Sequence, residues 1–272
     1  MRKRGVAALF LPALVVGLPL RNRRWVRYAP GPLSDNEFLA LASRHGWTAA
    51  RVEVKPAVVL RGLVRAPRST DAPWLLFFGG NGAGQLQAGQ AFLDASAAAE
   101  WGAAVWASRG YDGSEGEPGA SAFHADALAL QAELRRRHGV EPERLHLIGF
   151  SMGAEVAQFL ACQMARGGTP PRTLTLLAPY LDNYRMLKNA WYAHWTFGDS
   201  YAPRELVEEL RGPVLVVHGT QDDAHPVEQA RELASRLGAR GELIEIQDAG
   251  HAAVLSDREV PGTVRGFIRR HL

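Results

Sequence analysis

Cysteine is almost absent from this chain, which has one such residue, Cys162, among 272. A single cysteine excludes an internal disulfide framework and a zinc site built from several cysteines. Internal repeats and low-complexity blocks are also lacking. With 47% hydrophobic and 22% charged residues, the composition is that of a globular protein of one large domain or two small ones. Collagen-like, coiled-coil and wholly disordered proteins are therefore excluded.

Acidic residues are missing from the first 27 positions. The same stretch holds seven basic residues, which are Arg2, Lys3, Arg4, Arg21, Arg23, Arg24 and Arg27. The rest of the chain carries 24 basic and 28 acidic residues, so the formal net charge of +3 comes from the N-terminus. A mildly acidic domain lacks the basic surface that nucleic acids require, and we expect no nucleic-acid partner.

A long hydrophobic run is lacking too, because the apolar stretch at residues 6–20 is interrupted by Pro12, Gly17 and Pro19. As a helix it would span roughly 23 Å, less than the ~30 Å hydrocarbon core of a membrane. With basic residues on both sides, it predicts a membrane anchor or a cleaved signal peptide within residues 1–32. We therefore expect a membrane-associated or exported protein, with membrane contact through residues 1–27. A buried N-terminal strand or helix is the alternative.

The folded domain is predicted to extend over residues 33–272. Near its start, Ser34 and Glu37 form a capping-box pattern that predicts a short helix towards Arg44. Short apolar runs typical of strands then recur at residues 50–54, 58–64, 74–78, 103–107, 145–150, 173–177, 214–218 and 243–246.

Helical patterns lie between the later apolar runs, at residues 123–134 and 226–238, and a last helix is expected from Ala253 or later. Short apolar strands that alternate with helices predict an α/β fold, in which a mostly parallel sheet is covered on both faces. The first two strands are joined by a turn around Pro56, and we expect them to form an antiparallel hairpin at the sheet edge.

The strongest chemical signal is the sequence GFSMG at residues 149–153. It follows the apolar run at residues 145–148 and opens a helical pattern. In this context a serine hydroxyl is exposed at a tight strand-to-helix turn, and the two glycines let the helix approach the strand. The helix N-terminus favours developing negative charge nearby. Ser151 is therefore a candidate nucleophile, and a purely structural turn is the alternative.

An unactivated serine is a poor nucleophile, so a base and an acid should follow it in the chain. Asp222 comes after the apolar run at residues 214–218, and His251 comes after the run at residues 243–246. Because the carboxyl ends of parallel strands meet at one edge of a sheet, we expect these side chains to lie near Ser151.

Some neighbouring residues allow a second interpretation. Asp223 is an alternative to Asp222 as the acid, and Asp182 is a further candidate. Asp248 is interpreted as a turn residue, and His218 as a residue that packs at a strand end.

The motifs resemble those of the α/β-hydrolases, in particular the small serine hydrolases of the α/β-hydrolase-domain group, over about residues 51–272. In that group a strand leads into a His-Gly-Asn loop, and the matching sequence here is FGGNG at residues 78–82. An Arg-Gly-Tyr-Gly stretch matches residues 109–116, and the motif around the acid matches residues 218–226. The resemblance implies an α/β-hydrolase fold.

The same resemblance implies roles for individual residues. Ser151 would be the nucleophile, Asp222 the acid and His251 the base, in the chain order of this fold. The oxyanion hole would use the backbone N–H groups of Asn81 and Met152.

Two positions depart from the pattern of the group. Gly79 replaces the usual histidine, so the side chain that braces the oxyanion loop is missing. His225 replaces the usual valine beside the acid, which is either a surface change or a second titrating group near the site.

Substrate choice is expected to depend on residues 180–210, where this superfamily inserts a lid. The segment is rich in aromatic residues, and Trp191, Tyr192, Trp195 and Phe197 are candidates for an apolar acyl pocket. A small helical cap over the sheet edge is the alternative.

We therefore expect a serine hydrolase that cleaves an ester, or else a thioester or amide, through an acyl-enzyme intermediate. The expected substrate is a small-molecule or lipid ester, and we expect no metal or organic cofactor. A peptidase of the prolyl-aminopeptidase-like type is the main alternative, and a C–C hydrolase or cofactor-free haloperoxidase shares the same residues. A non-catalytic binding protein of this fold is an alternative of another class.

Overall fold

One sheet organises the computed structural model, which describes residues 28–182 and 203–272. Its strands are β1 (Thr48–Lys55), β2 (Val58–Arg65), β3 (Trp74–Phe78), β4 (Gly102–Trp106), β5 (Leu145–Phe150), β6 (Thr173–Leu177), β7 (Val214–Gly219) and β8 (Gly241–Ile246). They lie side by side in the order β1-β2-β4-β3-β5-β6-β7-β8. The pairs β1–β2 and β2–β4 are antiparallel, and every pair from β4 to β8 is parallel. The predicted α/β class and the predicted edge hairpin are both confirmed.

Helices cover the sheet. They are α1 (Asp35–Ala42), α2 (Gln85–Ser96), α3 (Ala120–His138), α4 (Met152–Arg166), α5 (Pro203–Leu206), α6 (Val227–Leu237), α7 (Ala253–Ser256) and α8 (Val260–Arg270). Helices α2 and α8 pack against each other, and so do α3 and α4. Every residue of β3, β4, β6 and β7 is buried, as expected for strands that are covered on both faces.

The helices differ from the sequence predictions in three places. Helix α2 is not predicted, because its N-cap residue is Gly84, which has no side chain to cap the first turn. The predicted last helix is α8, and the short helix α7 before it is not predicted; between them Asp257 accepts the backbone N–H groups of Glu259 and Val260. Pro226 is the N-cap of α6 rather than its first helical residue.

The first described residues lie against the domain. Tyr28 is buried, and the backbone N–H of Ala29 donates to the side-chain oxygen of Asn81 at 2.9 Å. Residues 28–32 therefore belong with the domain that the sequence places at residues 33–272. Residues 1–27, with the predicted anchor or signal peptide, lie outside the described residues.

The predicted lid segment at residues 180–210 is described only at its two ends. The pocket candidates Trp191, Tyr192, Trp195 and Phe197 lie outside the described residues. Within the residues that the structure describes, no helix is both long enough and apolar enough to cross a membrane.

Candidate active site

Ser151 lies at the turn between β5 and α4, with φ of 53° and ψ of −118°. Positive φ is costly for a residue with a Cβ, so the surrounding structure must hold this conformation in place. The backbone N–H of Ser151 donates to the carbonyl oxygen of Leu177 at 2.9 Å. The turn therefore fixes the serine hydroxyl at the carboxyl end of β5, as a nucleophile elbow does.

The two glycines that flank Ser151 leave no room for a side chain. A Cβ on Gly149 would lie 2.2 Å from the carbonyl oxygen of Gly153, and a Cβ on Gly153 would lie 2.2 Å from that of Phe78. Because both clashes are with backbone, no side-chain rotation can relieve them. Helix α4 thus approaches β3 and β5 as closely as the sequence motif predicts.

Among the three side chains that the sequence points to, His251 lies within hydrogen-bonding distance of both Ser151 and Asp222. The Nε2 atom of His251 is 2.8 Å from the Oγ atom of Ser151, and its Nδ1 atom is 2.7 Å from Oδ2 of Asp222. A carboxylate only accepts hydrogen bonds, so Nδ1 carries the proton and Nε2 is left to accept from the serine hydroxyl. This arrangement can remove the serine proton during nucleophilic attack.

Asp222 is buried and hydrogen-bonded at both oxygens. Its Oδ1 atom accepts the backbone N–H groups of Ala224 and His225 at 2.9 and 2.7 Å, and its Oδ2 atom lies 3.2 Å from Nε2 of His218 as well as facing His251. Burial by itself raises the pKa of Asp222, but the hydrogen bonds from the two histidines and the backbone outweigh it and hold the pKa below its usual range. The carboxyl group is therefore ionised at neutral pH.

The other candidate acids lie elsewhere. Asp223 is exposed to solvent. Asp248 accepts the side-chain amide of Gln221 at 2.8 Å within a turn. Asp182 forms an ion pair with Arg204, with 2.6 Å between Oδ2 and Nη2.

The loops after β7 and β8 are hydrogen-bonded to each other, which places Asp222 beside His251. The backbone N–H groups of Thr220 and Gln221 donate to the carbonyl oxygens of Ile246 and Ala249, both at 3.0 Å. Gly219 permits the approach, because a Cβ there would lie 2.2 Å from the carbonyl oxygen of Ala249.

The two predicted oxyanion donors lie on chain segments next to Ser151. Met152 follows it directly as the first residue of α4. The loop after β3 (residues 79–84, the predicted oxyanion loop) also lies close, since a Cβ on Gly80 would be 3.3 Å from the Cβ of Ser151. In that loop Asn81 is held by its side chain, whose Oδ1 atom accepts the N–H of Ala29 at 2.9 Å and the hydroxyl of Tyr111 at 2.7 Å.

The segment at residues 109–116 supplies one side chain to a buried ion pair and another to the start of α2. Arg109 and Asp126 form a buried ion pair, with Nε 2.7 Å from Oδ2. The carboxylate of Asp112 accepts the backbone N–H groups of Gly84 and Leu86, both at 2.8 Å, and so caps the N-terminus of α2. Burial raises the pKa of Asp112, and these hydrogen bonds oppose the change.

Two histidines near the acid contact the site. His218, interpreted from sequence as a packing residue, is fully buried with Nε2 2.9 Å from the carbonyl oxygen of His225. The ring of His225 lies 5.2 Å from that of His251 and 4.7 Å from that of Tyr180. Burial, with the nearby His251, lowers the pKa of His225 to about 4. The sequence marks His225 as unusual, but only the folded chain shows the contact of His218 with Asp222.

Neither a metal-ligating cluster nor a reactive thiol lies among residues 28–182 and 203–272. Within these ranges no group of three or more histidine, cysteine, aspartate or glutamate side chains could hold a metal ion. Cys162 is buried on α4, and burial raises the pKa of its thiol to about 12, so it stays protonated.

A mostly parallel sheet of this order, with a strained strand–turn–helix after its fifth strand, is the architecture of the α/β-hydrolases. Comparison with solved structures agrees. An α/β-hydrolase from Vibrio vulnificus superposes with a TM-score of 0.72 at 17% identity, covering all of this chain and 95% of its own. The esterase Pf2001 of Pyrococcus furiosus superposes with a TM-score of 0.68 at 19% identity, covering 90% and 98%.

Sequence comparisons point the same way. Residues 178–270 match the family model described as TAP-like protein. An uncharacterized protein of Mycobacterium tuberculosis is 29% identical over 169 residues, which cover 59% of this chain and 57% of that protein. Mouse α/β-hydrolase domain-containing protein 17C is 28% identical over 142 residues, covering 52% and 42%. The chain thus spans about half the length of these curated relatives, and its fold is that of the α/β-hydrolases.

Proposed function

We propose that this protein is a serine hydrolase that cleaves carboxylic esters through an acyl-enzyme intermediate. The proposal depends on one observation, the continuous hydrogen-bonded series from Ser151 Oγ through His251 to Asp222, with distances of 2.8 and 2.7 Å. A serine hydroxyl gains nucleophilic strength only beside a base of this kind.

In the proposed reaction His251 removes the proton of Ser151 as Oγ attacks the carbonyl carbon of the ester. Asp222 stabilises the imidazolium that forms, and the backbone N–H groups of Met152 and Asn81 bind the oxyanion. His251 then protonates the departing alcohol, which leaves an acyl group on Ser151. A water molecule, deprotonated by His251, releases the carboxylic acid and restores the hydroxyl.

Ester cleavage is favoured over other hydrolytic reactions by similarity. The Pyrococcus furiosus neighbour is named as an esterase, and the likeness covers most of both chains. We further propose a small-molecule or lipid ester as the substrate, no nucleic-acid partner, and membrane contact or export through residues 1–27. The acyl pocket would include Trp191, Tyr192, Trp195 and Phe197.

The substitution Ser151→Ala tests the proposal. We expect the wild-type protein to hydrolyse a p-nitrophenyl ester and to be labelled by a fluorophosphonate probe at Ser151. The variant should lose kcat by a factor on the order of 10⁶, since the nucleophile is removed. Ser256→Ala, an exposed serine, is the control and should keep full activity and labelling.

Labelling without ester turnover would favour another acyl substrate, and a series of prolyl amides would then test the peptidase alternative. A wild-type protein with no adduct at Ser151 would contradict the proposal and favour a binding protein of the same fold. A series of esters with increasing acyl length would define the pocket.

A further inference from the structure

The side chain of Gln85 fills the space that Gly79 leaves open beside the oxyanion loop. A Cβ on Gly79 would lie 2.9 Å from Cγ and 3.0 Å from Cβ of Gln85. Gln85 is the first residue of α2 and is 3% exposed. In the present packing there is no room for both a side chain at position 79 and the glutamine at position 85.

Both ends of the Gln85 amide are hydrogen-bonded to backbone. Its Nε2 atom donates to the carbonyl oxygen of Gly80 at 2.7 Å, and its Oε1 atom accepts the N–H of Ser108 at 2.8 Å. One partner only accepts and the other only donates, so the orientation of the amide is fixed by chemistry. The glutamine thereby links the oxyanion loop to the chain just after β4.

The carbonyl oxygen of Gly80 accepts the amide of Gln85 at 2.7 Å and the N–H of Gly82 at 3.1 Å, and its direction sets that of the next backbone N–H. The carbonyl of Gly80 and the N–H of Asn81 belong to one planar trans peptide, in which the two groups point in opposite directions. A carbonyl that is turned towards Gln85 thus turns the Asn81 N–H away from Gln85. This peptide lies beside the nucleophile, as the proximity of Gly80 to Ser151 shows.

We propose that Gln85 is a positioning residue that orients the Asn81 N–H as an oxyanion donor, in place of the missing histidine brace at position 79. The proposal rests on the function proposed above, since an oxyanion hole has a role only in acyl transfer. Gln85 acts through the peptide and does not itself touch the substrate. The Nε2 group of Gln85 is the part that acts on this peptide, because the Oε1 atom accepts the N–H of Ser108 instead.

The substitution Gln85→Glu isolates that donor. It keeps the size of the side chain and an acceptor for Ser108, and once the carboxyl group is ionised it sets a carboxylate oxygen against the carbonyl oxygen of Gly80. Because burial favours the protonated form, whose O–H could still donate to Gly80, this variant is assayed at alkaline pH. Gln90→Glu is the matched control, because Gln90 is on the same helix, is also 3% exposed, and donates to the backbone carbonyl of Leu41 at 2.8 Å. Gln85→Met, which removes both hydrogen bonds without adding charge, serves as a second variant if Gln85→Glu does not fold.

Three readouts are compared on folded protein, whose active fraction is counted by fluorophosphonate titration. They are kcat and KM for a p-nitrophenyl ester, and the inhibition constant of a trifluoromethyl ketone, which presents an oxyanion to the site. For the Gln85 variants we expect kcat and the affinity for the ketone to fall by a similar factor, about 10- to 100-fold, with KM little changed. Gln90→Glu should change neither, whatever it does to thermal stability.

The outcomes separate the two proposals. If the wild-type protein is active and both Gln85→Glu at alkaline pH and Gln85→Met retain kcat and ketone affinity like the Gln90 control, Gln85 has a structural role only and the inference is wrong. A rise in KM without a fall in kcat also contradicts it. If the wild-type protein is neither labelled at Ser151 nor active, the proposed function fails, and the inference fails with it.

Discussion

At the scale of single residues, the orientation of Asp222 is set by the groups around it. Two backbone N–H groups, of Ala224 and His225, face one carboxylate oxygen, and the ring of His251 faces the other. An asparagine at position 222 has only one side-chain oxygen, and that oxygen would accept the two backbone N–H groups. The amide NH2 would then point at Nδ1 of His251.

This orientation predicts a strong effect of Asp222→Asn. Facing an NH2 group, His251 would carry its proton on Nε2 and could no longer accept the proton of Ser151. We expect kcat for a p-nitrophenyl ester to fall by roughly 10⁴ with the fold intact. Asp223→Asn, at the exposed neighbour, should leave kcat unchanged. An Asp222→Asn enzyme with near wild-type kcat would show that Asp222 is not the acid.

The sequence identified the three residues of this cluster from strand ends and chain order, and the structure places them in contact. Their catalytic roles stay predictions. The environment of Asp222 was harder to foresee, because His218 reaches it only after residues 219–225 fold back towards the strand. Gln85 likewise has no local motif, and its one sequence signal is the glycine that stands where a histidine is usual.

At the scale of elements, the buried strands could be predicted closely. The apolar runs at residues 74–78, 145–150 and 173–177 coincide with β3, β5 and β6. Continuous apolar segments of this length are what burial on both faces requires. Helix α2 could not be predicted in this way, since the carboxylate that caps it belongs to Asp112, distant in sequence.

The contact between α4 and β3 leads to a prediction for Gly153→Ala. The new Cβ would meet the carbonyl oxygen of Phe78 at 2.2 Å, so the helix or the oxyanion loop must move. We expect a loss of about 3 kcal/mol or more in the free energy of unfolding, measured in urea, together with a loss of esterase activity.

Gly262→Ala is the control for this substitution. Gly262 lies within α8, and a Cβ there would meet nothing within 4 Å. Alanine has less backbone freedom than glycine in the unfolded chain. Gly262→Ala should therefore leave the free energy of unfolding unchanged or raise it by about 0.5–1 kcal/mol. Equal stabilities of the two variants would mean that the elbow is not tightly packed.

At the scale of the whole molecule, two buried histidines make the fold sensitive to acid. Burial lowers the pKa of His225 to about 4 and that of His146 to about 3, from an ordinary value of 6.5. Between pH 6.5 and these values the unfolded chain binds protons that the native state does not. Native stability is therefore full above about pH 6.5 and decreases as the pH falls towards 4 and below.

The substitution His225→Val should flatten this dependence. The fall in the pKa of His225 from 6.5 to about 4 on folding corresponds to a loss of about 3 kcal/mol of stability on acidification. Valine does not titrate, so the variant should not lose this amount. Urea unfolding at a series of pH values from about 7 to 4 measures the difference. His45→Asn, at an exposed histidine, should follow the wild-type curve. A His225→Val curve parallel to the wild type would contradict the prediction.

The hydrogen bond between Ala29 and Asn81 has a consequence for how the molecule would sit on a surface. It brings the chain into the domain beside the loop of Gly80 and Asn81, which lies next to Ser151. For a protein tethered to a bilayer through residues 6–20, the intervening residues 21–28 could stretch no more than roughly 30 Å. Such a tether would hold this side of the domain, with Ser151, close to the lipid and to ester substrates that stay in the bilayer.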